Sequence, residues 1–176
     1  MNYKCIKVGV TGHRELLNSN ILKKILSTEL KKLLKKEDSQ YFVISPLADG
    51  ADRIVAKILI NDFNAELIVP LPFEKEEYQK DFSTISQKEF NELINKAIEI
   101  YEVTSLNDVL RQIGYLKVGQ EVVNRCDVLI AIWDGEDVRG VGGTGDIVMY
   151  AEQCKKPILY INTESLNIKY MNFQGV

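Results

Sequence analysis

The chain has 176 residues, a formal net charge of −3 and 45% hydrophobic residues, which fits one globular domain with a core of its own. The charge provides no general basic field, so we expect no binding to nucleic acid. No apolar run approaches the length of a membrane span and the N-terminus lacks a signal-peptide pattern, so a cytoplasmic chain without membrane association is expected. Three widely separated cysteines show no metal-ligand spacing, and no metal or cofactor is predicted.

The first half of the chain predicts three strands separated by two helices. The apolar run Cys5–Thr11 is the first strand. Leucines at helical spacing then predict a helix over Asn20–Lys36, and its lysines indicate a solvated face. β-Forming residues at Tyr41–Leu47 predict the second strand. An Asp-Gly turn leads into a helix over Ala51–Phe63, and the third strand is Glu66–Leu71.

The second half continues this alternation. Short helices are predicted over Glu74–Phe82 and from Ser86 to about Ala97, followed by a fourth strand at Ile98–Val103. Residues 163–176 are interpreted as a C-terminal tail whose aromatic residues could pack on a second subunit, and residues 1–162 as one domain. The other predicted elements are a helix over Asn107–Arg125, a strand at Asp127–Trp133, a helix over Asp146–Cys154 and a sixth strand at Pro157–Ile161.

Strand–helix alternation with fully apolar strands predicts an α/β fold. We expect a mostly parallel sheet of about five to six strands with helices on both faces. Ligands of such folds bind outside the carboxyl ends of the strands, near a switch in strand order. The polar loops that follow strands one, two, three and five should therefore share one edge of the sheet.

The segment after the fifth strand carries the strongest signal for a ligand. Four glycines lie between residues 140 and 145, directly before a predicted helix. Such a loop can surround an anion with backbone N–H groups while the helix dipole favours negative charge, so we predict a phosphate-bearing ligand. A plain surface connection is the alternative. The predicted contacts of this segment are Asp134, Gly142, Gly143, Thr144, Gly145 and Asp146.

The loop after the first strand adds a second wall to the predicted site. Thr11 and Gly12 would let backbone N–H groups approach a ligand closely. Arg14 could pair with a phosphate through two hydrogen bonds, or it could bridge to a surface carboxylate. His13, the one histidine of the sequence, could act as an acid or base, although packing against a turn is the commoner role.

The loop after the second strand holds two carboxylates that have two explanations. Asp49 and Asp52 could stabilise the start of the following helix, and one of them could hold a ribose hydroxyl. Gly50 makes the turn between them, and Arg53 is a second candidate phosphate partner. Three aromatic residues after the third strand could stack on a base or simply pack in the core. They are Phe73, Tyr78 and Phe82.

Four segments taken in order resemble the SLOG superfamily, which includes DprA-like proteins, LOG phosphoribohydrolases and nucleotide-sensing domains of bacterial defence systems. The segments are VGVTGHR, SPLADGADRIVA, LPFEKEEYQKDF and CDVLIAIWDG followed by GVGGTGDIVMYA. The resemblance implies a Rossmann-like fold that binds a nucleotide or a nucleotide derivative. For the sensor branch it implies cyclic ADP-ribose variants, NAD-derived molecules or cyclic oligonucleotides as ligands, and self-association into a homo-oligomer.

The catalytic residues of the related enzymes have no counterpart in this chain. Aligning the LOG glycine motif places the catalytic Glu at Met149 and its Arg at Val118, while the segment of nucleoside deoxyribosyltransferases places the nucleophilic Glu at Ile147. Apolar side chains cannot replace a carboxylate nucleophile, so we assign no catalytic residue and expect a sensor of a nucleotide-derived small molecule. The alternative is an N-glycosidic hydrolase or phosphoribohydrolase acting on nucleoside monophosphates, in which Asp146 or Asp52 replaces the missing carboxylate.

Overall fold

The protein is represented by a computed structural model that describes residues 4–34, 39–136 and 141–173. Seven strands form one sheet in the order β4-β3-β2-β1-β5-β6-β7. Neighbouring strands are parallel except β7, which is antiparallel to β6. The strands are β1 (Lys4–Gly12), β2 (Ser39–Ile44), β3 (Glu66–Leu71), β4 (Ala97–Glu102), β5 (Val128–Trp133), β6 (Ile158–Asn162) and β7 (Ile168–Met171).

The helices of the described residues connect these strands. They are α1 (Ser19–Leu33), α2 (Ala51–Phe63), α3 (Lys75–Tyr78), α4 (Thr84–Ile94), α5 (Arg111–Arg125) and α6 (Thr144–Gln153). A 3-10 turn over Gln79–Asp81 follows α3. The predicted helix end at Lys36 lies outside the described residues, as does Gly140 of the glycine-rich loop.

The predicted bounds of α2 and β3 agree with the structure, whereas three helix starts differ from the prediction by two or more residues. Helix α4 begins before Ser86 because the Ser83 hydroxyl caps it, accepting a hydrogen bond from the Ser86 N–H at 3.3 Å. Helix α5 begins after Asn107 because residues 105–109 form a separate turn, in which the Val109 N–H donates to the Ser105 carbonyl. Helix α6 begins at Thr144 rather than at Asp146.

Two apolar cores lie on opposite faces of the sheet. Side chains alternate along a strand, so Val43 packs with one core and Ile44 with the other, and Leu67 and Ile68 divide in the same way. The first core is covered by leucines of α1 and α2, and the second by apolar residues of α5 and α6. This arrangement confirms the predicted α/β class and the mostly parallel sheet with helices on both faces.

The strand order reverses beside β1. The chain proceeds outward from β1 through β2 and β3 to β4, and then returns to place β5 on the other side of β1. The carboxyl ends of β1 and β5 therefore flank the switch point, which is where open α/β sheets bind their ligands. Gly12 and Trp133 are the last residues of these two strands.

The segment interpreted as a tail contributes the seventh strand, so the sheet exceeds the expected five to six strands. Strand β7 pairs with β6, and the Tyr170 hydroxyl donates to Glu29 Oε2 of α1 at 2.6 Å. The Tyr170 ring packs edge-on against Phe173, with centroids 5.2 Å apart. These aromatic residues thus pack within their own chain, and residues 174–176 lie outside the described part. No helix in the described ranges combines the length and apolar character needed to cross a bilayer.

Candidate ligand-binding site

A cavity of about 520 Å³ opens at the carboxyl ends of β1 and β5. This volume is within the range of small-molecule sites. Its wall is built by the loops after β1, β2 and β5, by α3 and α5, and by the first turns of α2 and α6. The sequence-predicted residues on this wall are Thr11, Gly12, His13, Arg14, Asp52, Asp134, Gly142, Gly143, Thr144 and Gly145.

Two glycines allow the loops after β1 and β2 to pack directly on each other. A Cβ on Gly12 would lie 2.4 Å from the Ala51 Cβ, and a Cβ on Gly50 would lie 2.3 Å from the Arg14 carbonyl oxygen. Gly50 also has a positive φ of 77°. The Ala51 N–H donates to the His13 carbonyl at 3.1 Å, which ties the start of α2 to the end of β1. Close packing of protein backbone explains both glycines, and Gly50 itself does not line the cavity.

The glycine-rich loop is fixed between α5 and α6. Gly142 has a φ of 83°, and a Cβ there would lie 2.8 Å from the Leu116 backbone nitrogen. Its N–H donates to Asp146 Oδ2 at 2.8 Å. The Asp146 carboxylate therefore closes the loop, and Asp146 is absent from the cavity wall. The first N–H groups of any helix lack intrahelical partners, and Gly143 to Gly145 bring those of α6 to the wall.

Arg14 supplies positive charge to the cavity. Its guanidinium carbon lies 5.5 Å from the Tyr115 ring centroid, and its Nη2 lies 3.7 Å from Asp81 Oδ2. Asp81 is already held by Arg111, whose Nε and Nη2 lie 3.1 and 2.7 Å from Oδ1, and by a hydrogen bond from the Tyr115 hydroxyl. Two guanidinium groups thus share one carboxylate. The Arg14 side chain remains 43% exposed and can contact an anion.

Asp52 is a buried carboxylic acid on the cavity wall. The residue is 4% exposed, and the Ala48 N–H donates to its Oδ2 at 3.3 Å. Burial raises the pKa of Asp52 to about 7, against the opposing effects of the hydrogen bonds from Ala48 and Ser45 and of the charges of Arg14 and Arg53. The Asp52 carboxyl group can therefore gain or lose its proton near neutral pH.

Tyr78 lies both in the core and on the cavity wall. Its ring packs edge-on against Phe73, Phe82 and Phe90, at centroid distances of 6.0, 4.9 and 5.9 Å. Burial, and then the charge of Asp52, raise the pKa of the Tyr78 hydroxyl well above its ordinary value. In the part of the chain that the structure describes, this hydroxyl has no hydrogen-bond partner. Of the three aromatic residues that could either stack on a base or pack in the core, Phe73 and Phe82 only pack in the core. Tyr78 packs in the core and also lines the cavity.

Arg53 and Asp49, which the sequence suggested as ligand contacts, do not line this cavity. Arg53 is 2% exposed, its Nε donates to the Leu47 carbonyl at 2.9 Å, and its Nη1 donates to Glu89 Oε2 at 3.0 Å. Asp49 Oδ1 lies 2.8 Å from the same Nη1 and accepts a hydrogen bond from the Ser86 hydroxyl. Protein groups therefore engage both side chains, which join α2 to α4.

His13 and Asp134 form a pair across the switch point. Nε2 of His13 lies 2.9 Å from Asp134 Oδ2, and the His13 N–H donates to the Ile132 carbonyl at 3.0 Å. This contact holds the loop after β1 against the loop after β5. Within the described residues, no three His, Cys, Asp or Glu side chains form a cluster that could hold a metal ion.

Helix α5 contributes a wall that sequence reasoning missed. Its residues recur three to four positions apart on the cavity side, and this helical spacing was the signal available in the sequence. Val118 of α5 and Ile147 of α6 both line the cavity, whereas Met149 is half-exposed elsewhere. The wall residues contributed by α5 are Gln112, Tyr115, Val118, Gly119 and Val122.

Comparison with known proteins supports the fold. TM1055, a Northeast Structural Genomics Consortium target solved by X-ray crystallography, is similar over 87% of this chain and 72% of its own, with 17% identity and a TM-score of 0.52. The fold is Rossmann-like. No protein-family model matches the sequence, and no curated protein matches it. At 17% identity the likeness extends to the fold alone.

Proposed function

We propose that this chain is a SLOG-type domain that binds a nucleotide or nucleotide-derived signal in the cavity at the β1–β5 switch point. The main support is the convergence of three features on one cavity wall: the glycine-rich start of α6, the guanidinium of Arg14 and the buried carboxyl of Asp52. These features come from three separate loops of the sequence. Together they match a ligand with an anionic end and a polar organic body.

The phosphate of the ligand lies against the N–H groups of Gly143 to Gly145, with Arg14 as its charged partner. The ring system lies along the apolar part of the wall, which includes Trp133, Val118 and Ile147. Since Ile147 stands where the related transferases carry a nucleophilic Glu, the ligand is bound and left intact. Binding is then passed to a second copy or a partner, as in the sensor branch of antiphage defence signalling.

Thermal-shift measurements with adenosine monophosphate, NAD, cyclic ADP-ribose and cyclic dinucleotides test this proposal. A ligand at about 100 times its Kd stabilises the native state by about 2.7 kcal/mol, which gives a measurable rise in Tm. Arg14→Gln should lose most of the shift. Arg125→Gln should retain it, because Arg125 pairs with Glu99 on β4 and does not line the cavity. The absence of any shift across the panel would refute the proposal.

A hydrolase that cleaves the N-glycosidic bond of nucleoside monophosphates is the second candidate. The observation that favours it is the protonatable Asp52 on the cavity wall, since such a group can donate a proton to a leaving base. Asp146 is less suited, because its carboxylate already accepts the Gly142 N–H. Release of free base from adenosine monophosphate, abolished by Asp52→Asn, would support the hydrolase, and unchanged nucleotide after long incubation would exclude it.

A further inference from the structure

Two buried polar side chains on the cavity wall have no part in phosphate binding. Asp52 lies in the first turn of α2, which follows β2, and Tyr78 is the last residue of α3, which follows β3. The residues are 4% and 2% exposed, and among the described residues the Tyr78 hydroxyl lacks a hydrogen-bond partner. Because Tyr78 lines the cavity, its hydroxyl is available to hydrogen-bond to a ligand group there. This end of the cavity is therefore suited to a polar group of the ligand.

The two subsites lie on opposite sides of β1. Strand β1 lies between β2 and β5 in the sheet, so the start of α2, which follows β2 and carries Asp52, flanks it on one side. The glycine-rich loop follows β5 on the other side. A ligand held at both ends must extend across the end of β1, where Thr11 and Gly12 form the wall. The polar group bound by Asp52 is thus separated from the phosphate by part of the ligand body.

Hydrogen-bonding chemistry identifies the group that this end accepts. The Asp52 carboxyl group can accept a hydrogen bond whether it is ionised or protonated, and a phenol that keeps its proton can donate one. Tyr78 keeps its proton because burial and the charge of Asp52 disfavour the phenolate. A sugar hydroxyl donates and accepts through one oxygen and can satisfy both residues at once, whereas the edge of an amino-substituted base needs its exocyclic amine as the donor and a neighbouring ring nitrogen as the acceptor. The pair therefore matches a hydroxyl through a single group of the ligand.

We propose that Asp52 and Tyr78 form a sugar-hydroxyl subsite that selects ribonucleotides over their deoxy analogues. This inference rests on the proposed nucleotide-binding function and adds the part of the ligand that is recognised. Asp52 accepts a hydrogen bond from a ribose hydroxyl, and Tyr78 donates one to the same or the adjacent hydroxyl. Asp49, the carboxylate just before α2, has no such role because Arg53 and Ser86 engage it away from the cavity.

Isothermal titration calorimetry with adenosine 5′-monophosphate and its 2′-deoxy and 3′-deoxy analogues tests the subsite. The wild-type chain should bind the ribonucleotide about tenfold more tightly than at least one analogue, as expected for the loss of a buried hydrogen bond. Tyr78→Phe and Asp52→Asn should each weaken ribonucleotide binding by about tenfold and abolish the preference. Either variant alone can decide the question if the other fails to fold.

Two variants serve as matched controls. Asp49→Asn changes a carboxylate three residues before Asp52, and Tyr101→Phe removes a hydroxyl that donates to Glu121 of α5 at 2.9 Å. Both should retain the preference for ribose. Equal affinities for ribo- and deoxynucleotides in the wild type, or an unchanged preference in Tyr78→Phe and Asp52→Asn, would overturn the subsite while leaving nucleotide binding intact. A wild-type chain that binds neither adenosine monophosphate nor NAD would overturn both.

Discussion

The carboxyl group of Asp52 affects stability as well as binding. Its folded-state pKa of about 7 is well above the ordinary value of 3.8, so the native state holds this proton more tightly than the unfolded state does. Stability therefore falls as pH rises through the window between these two values, and the full cost is present above about pH 7. A buried ionisable side chain such as Asp52, which lowers the stability of the folded state, is typical of a functional site.

Asp52→Asn removes this titration and should change how stability depends on pH. Relative to the wild type, the variant should gain stability as pH rises from about 4 to about 7, by an amount on the order of 3 to 4 kcal/mol. Urea unfolding of both proteins at several pH values measures the difference. Unfolding free energies that run parallel across this window would show that Asp52 titrates normally in the native state.

Among the secondary-structure elements, those with a strong local pattern could be predicted from the sequence. The bounds of α2 and β3 follow from a continuous helical or apolar pattern between clear turn residues. Strand β7 was missed because its four residues are mostly exposed and form no apolar run. It becomes a strand only by pairing with β6, a contact that no local pattern reveals.

Only part of the candidate site could be predicted in the same way. The rule that loops share the carboxyl edge placed Thr11 to Arg14 and Gly142 to Gly145 on one wall. The rule does not say which way a side chain on that edge turns. The Arg53 side chain is directed away from the cavity, toward the Leu47 carbonyl and the Glu89 carboxylate. Tyr78 reaches the cavity from the short helix α3, whose aromatic residues could equally have been core residues.

Arg53 joins α2 to α4 and fixes the loop before α2. Its Nε holds the carbonyl of Leu47, a residue with a φ of +59°, and its guanidinium lies 4.7 Å from the Phe82 ring centroid. Arg53→Met should destabilise the protein by about 3 kcal/mol, because buried hydrogen-bonded partners are left unsatisfied. Chemical denaturation measures this loss.

Lys57→Met is the matched control for this variant. Lys57 contacts the same Glu89 from the next turn of α2, but its side chain is 44% exposed. Exposed ion pairs contribute little, so this change should cost less than about 1 kcal/mol. Equal losses for the two substitutions would contradict the role assigned to the buried arginine.

A hydrogen bond between the first helix and the last strand joins the two ends of the described chain. Glu29 of α1 is buried, and it accepts hydrogen bonds from Lys32 at 2.7 Å and from Tyr170 of β7 at 2.6 Å. Glu29 and Tyr170 are 141 positions apart in sequence, so their contact forms only when the sheet is complete. The aromatic residues that suggested a subunit interface thus have a role within the chain.

Tyr170→Phe should remove the hydrogen bond between β7 and α1 without changing the cavity, which Tyr170 does not line. Removing one partner of a buried carboxylate should cost about 1 to 3 kcal/mol at neutral pH. The hydrogen bonds from Lys32 and then Tyr170 hold the pKa of Glu29 below its ordinary value of 4.5. Their contribution is therefore complete above that value, and the deficit of the variant should shrink as pH falls through the folded-state pKa.

Tyr150→Phe provides the comparison for this last change, since it removes an exposed hydroxyl that donates to Asn124 Oδ1 at 2.9 Å. Its effect on unfolding free energy should stay within about 0.5 kcal/mol at every pH, because surface substitutions rarely exceed that amount.

Hydrogen exchange directly tests whether the contact between Tyr170 and α1 stabilises the outer strands. In Tyr170→Phe, the amides of β6 and β7 should lose protection before those of β1 and β5, because only the outer strands depend on the anchor to α1. Uniform loss across the sheet would instead indicate that Tyr170 affects global stability alone.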